Sequence, residues 1–388
     1  AEIDIFGFDI GGDKLFFCAY EVNGIFQIDM QTGKVKYLTM SEKYDADSGY
    51  LYQDAKIDGE KIWFSPYGED NILVYNSTLN VCEYIDVPQI RGNGRDIAKF
   101  YGIYDCGKWF VLLPVEYPAI LKVDKETYKI AVVHWEDKFV KEYPNFIYIN
   151  GCLSIAWDFE IVNEKIFLLA GNTIIKYNVN TDDILFYQID KQKRMYTGIV
   201  SYENKFFLID RLHSELMMWD EENNHVEKID IDLGYSGKEA GDDGCPLGLF
   251  SVKEGIVIVQ AKADYLLLVN KVGMIRKIDL HIKRSRMRTL FFSRVKQCGS
   301  ELVLPLDGQN KVLLINTNDW TQKCIEMNLE NLNFENIRVK IETEDCIMEN
   351  RVYYGLVNFI DNVKRCREEK NDDDIVYNAG KCIFQTMY

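Results

Sequence analysis

The segment His281-Ile282-Lys283-Arg284-Ser285-Arg286-Met287-Arg288 carries four positive charges and no negative one, in a chain whose formal net charge is -16. In an extended conformation Arg284, Arg286 and Arg288 project to one side, because side chains alternate with period two. Aligned guanidiniums suit bidentate capture of carboxylates or phosphates. A second reading stands beside this one: Glu239, Asp242 and Asp243 lie in a neighbouring loop and offer internal partners for the same arginines. Further basic positions are Lys191, Lys193 and Arg194, and the pair Arg91 and Arg95. Tyr20, Tyr67 and Tyr117 fall in loops of the same kind, where a flat apolar ring with a polar tip serves contact with sugars or protein partners.

Asp210-Arg211-Leu212-His213 places a carboxylate, a guanidinium and an imidazole within four residues, a combination able to do acid-base chemistry. It also reads as a charged loop with local ion pairs. The chain has only 4 histidines, and none stands at ligand spacing from a Cys, an Asp or another His, so no metal site is expected. Gly241-Asp242-Asp243-Gly244 lacks the alternating oxygen ligands and distal Glu of an EF-hand. Glu21, Glu69, Glu116 and Asp307 are loop acids of the type that glycoside-cleaving enzymes pair across a site, but the sequence selects no pair. No nucleophile elbow, P-loop or dinucleotide fingerprint is present, so no cofactor is expected and no catalytic residue is assigned.

The surplus of 61 acidic over 45 basic residues excludes a generalised nucleic-acid binder, since phosphate backbones are held by clustered Lys and Arg. Any anion site must be local. No stretch reaches the roughly 18 apolar residues of a membrane span, and the first residues lack the layout of a signal peptide. The 10 cysteines include no CxxC pair and mostly sit in apolar runs, as free thiols in a core do. A soluble protein of the reducing cytoplasm is the expectation.

What must position these loops is a repeat. Apolar strands begin at Leu15, Ile62, Trp109, Ile166, Phe206, Ile256 and Leu302, at intervals of 47, 47, 57, 40, 50 and 46 residues. Four-stranded propeller blades have periods of roughly 40 to 50 residues. Twelve to fifteen residues after each start, a second apolar strand closes on Asp29, Asn76, Asp124, Asn178, Asp220, Asn270 or Asn316. Asp and Asn accept a hydrogen bond from the backbone two residues on, and so open tight turns. Each unit therefore reads as strands A, B, C and D, with the Asx residue starting the C-to-D turn. An eighth candidate start at Val352 fails the same test, having Cys366 where the Asx should be.

Leu356, Phe359, Ile360 and Val363 instead follow the stripe of a surface helix, as do Val376, Ala379, Ile383 and Met387. The expected architecture is all-β: a seven-bladed propeller of four-stranded antiparallel blades over residues 1–329, with a mostly helical extension over 330–388 packed on it.

Trp219-Asp220 is similar to the dipeptide that closes a strand in WD40 repeats, and Gly11-Gly12 resembles the paired glycines of Kelch repeats. Over residues 1–329 the chain thus resembles the broad β-propeller superfamily. This resemblance implies an architecture and carries over no functional residues.

With strands ordered A to D outward, B-to-C and D-to-A loops share one face. All 7 prolines fall in or beside those connections, where a missing N–H breaks no central ladder. Binding residues concentrate on such loops. The function expected is a binding or scaffold role: the loop-rich face holds an acidic protein partner or an anionic or polar small molecule through Arg284, Arg286, Arg288, Arg95, Arg194, Tyr67, Tyr117, Asp210, Arg211 and His213. A carbohydrate-active enzyme with acids at the channel mouth, and a structural subunit of a larger assembly, are the alternatives.

Overall fold

Each repeat unit folds into one antiparallel sheet whose four strands pair in chain order, giving the seven blades expected. The structure is a computed structural model that describes residues 3–355 except 21, 42–47, 91–97, 143–157, 190–193, 195, 211–212, 232, 234–245, 272, 284–293, 331, 333–345 and 350–351. The innermost strands are Ile5–Gly11, Tyr52–Asp58, Phe100–Cys106, Phe159–Val162, Tyr196–Tyr202, Pro246–Val252 and Lys296–Cys298.

Second strands such as Lys14–Ala19 and Gly255–Gln260 are buried on both faces, so they read as unbroken apolar runs. Outer strands such as Val81–Asp86 are largely exposed and carry interspersed charge.

Third strands end at Asp29, Asn76, Asp124, Asn178, Asp220, Asn270 and Asn316. Six of these side chains accept the backbone N–H two residues on, as Asp29 does from Gln31 at 3.0 Å and Asn316 from Asn318 at 2.9 Å. Asn270 accepts from Met274, four residues on; the residue two on from it lies outside the described residues.

Every interface between adjacent blades holds an apolar cluster. The one that closes the ring joins Phe8, Phe17 and Ile28 of blade 1 to Val303, Val312 and Ile325 of blade 7. Among the described residues no strand is exchanged between first and last blades. Closure relies on that cluster, on a parallel bridge in which Val35 donates to the Asn328 carbonyl at 3.1 Å, and on Asp4, which accepts from the Gly308 N–H at 2.7 Å.

The 57-residue interval between blades 3 and 4 contains a helix, Glu136–Glu142, that the strand pattern does not announce. Its Phe139 and the preceding Trp135 are buried against Tyr177 and Val179. Beyond blade 7 the described elements are two paired strands, Cys346–Glu349 and Val352–Gly355. The described part of the extension is therefore a hairpin, and the helical stripes expected after Leu356 lie outside the described residues. Among the described residues no helix is long and apolar enough to cross a membrane.

Candidate binding site at the loop-side channel mouth

The inner strands put charge along the channel at matching registers. Asp9 pairs with Phe16, Lys56 with Trp63, Tyr104 with Val111, Glu160 with Phe167 and Lys296 with Val303, each two residues before the end of its strand pairing. One period of two nearer the loop-rich face stand Gly7, Asp54, Gly102, Asp158 and Arg294. Gly7 is required by space, since backbone closes on it, whereas Gly102 faces the end of a side chain. A Cβ at Gly7 would lie 2.0 Å from the Gln53 carbonyl oxygen, and one at Gly102 would lie 2.1 Å from the Tyr104 hydroxyl.

Several carboxylates fasten neighbouring inner strands. Asp9 accepts from the Ile57 N–H at 2.9 Å, Asp54 from Ile103 at 3.2 Å, and Asp158 from Ile199 at 2.9 Å. Lys296 reaches from blade 7 across blade 1, donating to the Phe8 carbonyl at 2.6 Å and ion-pairing with Asp54 of blade 2 at 2.6 Å. Lys56 pairs with Asp9 at 3.2 Å. Burial pushes Asp54 up despite Lys296 beside it; for Lys296 itself, burial is outweighed by Asp54 and Asp9, which raise it. Burial lifts Asp158 well above the usual carboxylate range and takes Glu160 to about 7, against an opposing hydrogen bond from the Ser201 backbone.

At the loop side the channel is rimmed by rings. Phe6 meets Tyr20, Tyr50 and Tyr67 edge-on at 5.1, 5.5 and 5.5 Å, and the Tyr20 and Tyr50 hydroxyls bond to each other. The Arg294 guanidinium lies over Phe6 at 5.1 Å and over Tyr101 of blade 3 at 5.2 Å. Burial takes the Tyr101 hydroxyl up to about 12, which Arg294 opposes. Of the three arginines described, Arg194 and Arg276 are ion-paired with carboxylates. Arg294 has no carboxylate within ion-pair distance among the described residues; it lies against aromatic rings and hydrogen-bonds the Tyr101 hydroxyl.

Of the residues expected at a site, Arg284, Arg286, Arg288, Arg95 and Arg211 lie outside the described residues, as do Glu21 and the acidic loop 241–244. Tyr67 stands in the aromatic rim. Tyr117 does not: it is 4% exposed, packs on Phe100 at 4.7 Å, and its hydroxyl donates to the Pro88 carbonyl, as a core side chain does. Arg194, Asp210 and His213 come together in blade 5. Arg194 bridges Asp210 at 2.6 Å and Glu215 at 2.7 Å, and His213 Nδ1 sits 2.5 Å from the fully buried Asp210. That geometry is an internal ion network. Glu69 and Glu116 are likewise engaged, Glu69 by Ser41 at 2.9 Å and Glu116 by the Ala98 N–H at 2.8 Å.

Sequence reasoning missed Arg294, Lys296, Asp54, Asp158, Phe6 and Tyr101. A charge set inside an otherwise apolar inner strand, as in Tyr52-Gln53-Asp54-Ala55-Lys56, was the available signal. Among the described residues no group of three His, Cys, Asp or Glu side chains is placed to hold a metal ion. Cys18 is a core thiol, donating to the Tyr52 carbonyl at 2.8 Å and pushed up to about 12 by burial.

No family model and no curated protein matches the chain. Among solved structures it is similar to a catalytically inactive virginiamycin B lyase from Staphylococcus aureus with quinupristin, at 11% identity and a TM-score of 0.58, covering 79% of this chain and 92% of that one. A streptogramin B lyase is similar at 14% identity and 0.57, covering 78% and 90%. YCF48 bound to a peptide is similar at 10% identity and 0.55, covering 80% and 92%. At such identities the likeness extends to the β-propeller fold alone.

Proposed function

We propose that this is a binding propeller whose loop-rich face holds an acidic protein segment or a small anionic ligand at the channel mouth. The observation that carries this reading is Arg294: a guanidinium oriented by two aromatic faces and without a carboxylate partner among the described residues, in a protein of formal net charge -16. A guanidinium held against two rings, with one N–H taken by the Tyr101 hydroxyl, still has further N–H donors for an incoming anion. The basic run Arg284, Arg286 and Arg288 precedes Arg294 in the same connection of the sequence. Tyr67 supplies apolar contact. Arg194, Asp210 and His213 act as a rigid wall of blade 5 and not as the contact itself. A cytoplasmic setting suits the free thiols of Cys18, Cys106 and Cys298.

The test is titration of a fluorescently labelled glutamate-rich peptide into the wild type and into a triple variant with Arg284→Glu, Arg286→Glu and Arg288→Glu. The reading predicts loss of binding with an unchanged melting temperature. Unchanged binding removes the basic run from the site, and a large drop in melting temperature assigns it to internal pairing.

One observation favours a second reading, acid-base catalysis on a polar substrate such as a carbohydrate. Glu160 stands near 7, the range of a general acid or base at neutral pH, two residues from Asp158, which burial also raises. Turnover of a panel of chromogenic glycosides that disappears in Glu160→Gln is the outcome this reading needs.

A further inference from the structure

Among the described residues the charges of the inner strands at the mouth are largely matched. Lys296 is matched by Asp54 and Lys56 by Asp9, while Asp158 gives its two oxygens to the N–H groups of Ile199 and Phe159. Arg294 is the one cation there left without a carboxylate among the described residues. A ligand carrying one negative charge would be neutralised at this spot. A dianion would bring a second charge into a wall that already holds Asp54 and Asp158, and a partly buried charge without a partner is costly. Beside Arg294 the surface is apolar and aromatic: Tyr20 and Tyr50 lie 4.2 Å apart, Tyr50 and Tyr67 6.4 Å, and all three rings are half-buried around Phe6.

From this juxtaposition we infer that the mouth recognises a single carboxylate joined to an aromatic or bulky apolar group, with Arg294 taking the carboxylate and the Tyr20, Tyr50 and Tyr67 rings the apolar part. The inference rests on the anionic-ligand reading above and narrows it: phosphate esters and other compact dianions, which bring two charges to the one spot, are the wrong class. The same chemistry is offered by a small aromatic acid and by the C-terminal residue of a peptide.

The test is calorimetric titration of the full chain with N-acetyl-L-phenylalanine, its amide, N-acetyl-phosphotyrosine amide, and a pentapeptide ending in a free-carboxylate Phe. The free acid is expected to bind about tenfold more tightly than the amide, the loss typical of one charged hydrogen-bonding partner, and more tightly than the phosphate. Arg294→Gln is expected to abolish the difference between acid and amide at an unchanged melting temperature, and Tyr67→Ala to weaken acid and amide alike. Tighter binding of the pentapeptide identifies a chain end as the natural form, and equal binding identifies a small acid. Equal affinity for acid and amide, preference for the phosphate, or no heat at about 10 mM ligand, a Kd weaker than any specific site of this kind, overturns the inference. Should the glutamate-rich peptide still depend on Arg284, Arg286 and Arg288 in that case, the broader anionic reading survives while this narrower one fails.

Discussion

Lys296 of the seventh blade and Asp54 of the second meet at 2.6 Å across the intervening first blade, so one ion pair spans the seam where the ring closes. With no strand exchanged at that seam among the described residues, the pair and the apolar cluster behind it contribute to closure. Asp54 is only 7% exposed and Lys296 28%, so removing one partner leaves a largely desolvated charge behind. Lys296→Ala should therefore destabilise by about 3 kcal/mol, measured by urea unfolding. The double variant Lys296→Met with Asp54→Leu should recover much of that loss, since it leaves no orphaned charge.

Blade 5 invites a test that separates structure from binding. Asp210 is fully buried, with Arg194 11% exposed beside it and Glu215 on the other side of the guanidinium. Arg194→Gln should lower stability by about 3 kcal/mol and leave affinity for the acidic peptide unchanged. Loss of affinity at full stability would return Arg194 to the contact surface.

Glu160 predicts a pH dependence of definite sign. Its folded value near 7 lies above its ordinary 4.5, because burial disfavours the charged form. The folded protein therefore holds the proton more tightly than the unfolded chain. The stability this contributes is complete below about pH 4.5 and lost as pH rises through about 7. Glu160→Gln should flatten the decline over that window in melting-temperature profiles, while leaving the contribution of Asp158 in place.

Asp124 has the opposite sign. The N–H groups of Thr127 and Glu126 and the Lys108 ammonium hold it down to about 2, from an ordinary 3.8. Its contribution is present above pH 3.8 and lost as pH falls through about 2. Asp124→Asn keeps an oxygen acceptor at the turn but gives up the charge, so it should lower stability at neutral pH and thereby blunt the acid limb of the profile.

Much of this architecture is legible from the chain because the repeat is enforced locally. An Asx side chain opening a two-to-four-residue turn works through atoms a few positions away, so Asp29, Asn76 and their five counterparts mark every third strand. Distant convergence leaves no such mark. Arg294 meets Phe6 and Tyr101, which lie 288 and 193 positions earlier in the sequence, only because blades 7, 1 and 3 face one channel. Tyr117 shows the converse: an aromatic in a loop, legible as a contact residue, turned inward because the Pro88 carbonyl offers its hydroxyl an acceptor. The pairing of Arg194 with Asp210 was half visible, since both were expected on one face, but their mutual distance depended on the fold. The helix Glu136–Glu142 was hidden by its brevity, its described apolar contacts coming from Trp135 and Phe139.

The central claim is that Arg294 is a cation kept for a ligand. Fluorescence anisotropy of the labelled glutamate-rich peptide, titrated with wild type and with Arg294→Gln at one fixed salt concentration, tests it most directly. The account predicts that the variant binds about tenfold more weakly while melting at the same temperature. Equal affinity in the two proteins, or a variant that binds as wild type but melts far lower, would contradict it and make Arg294 a structural stacking residue.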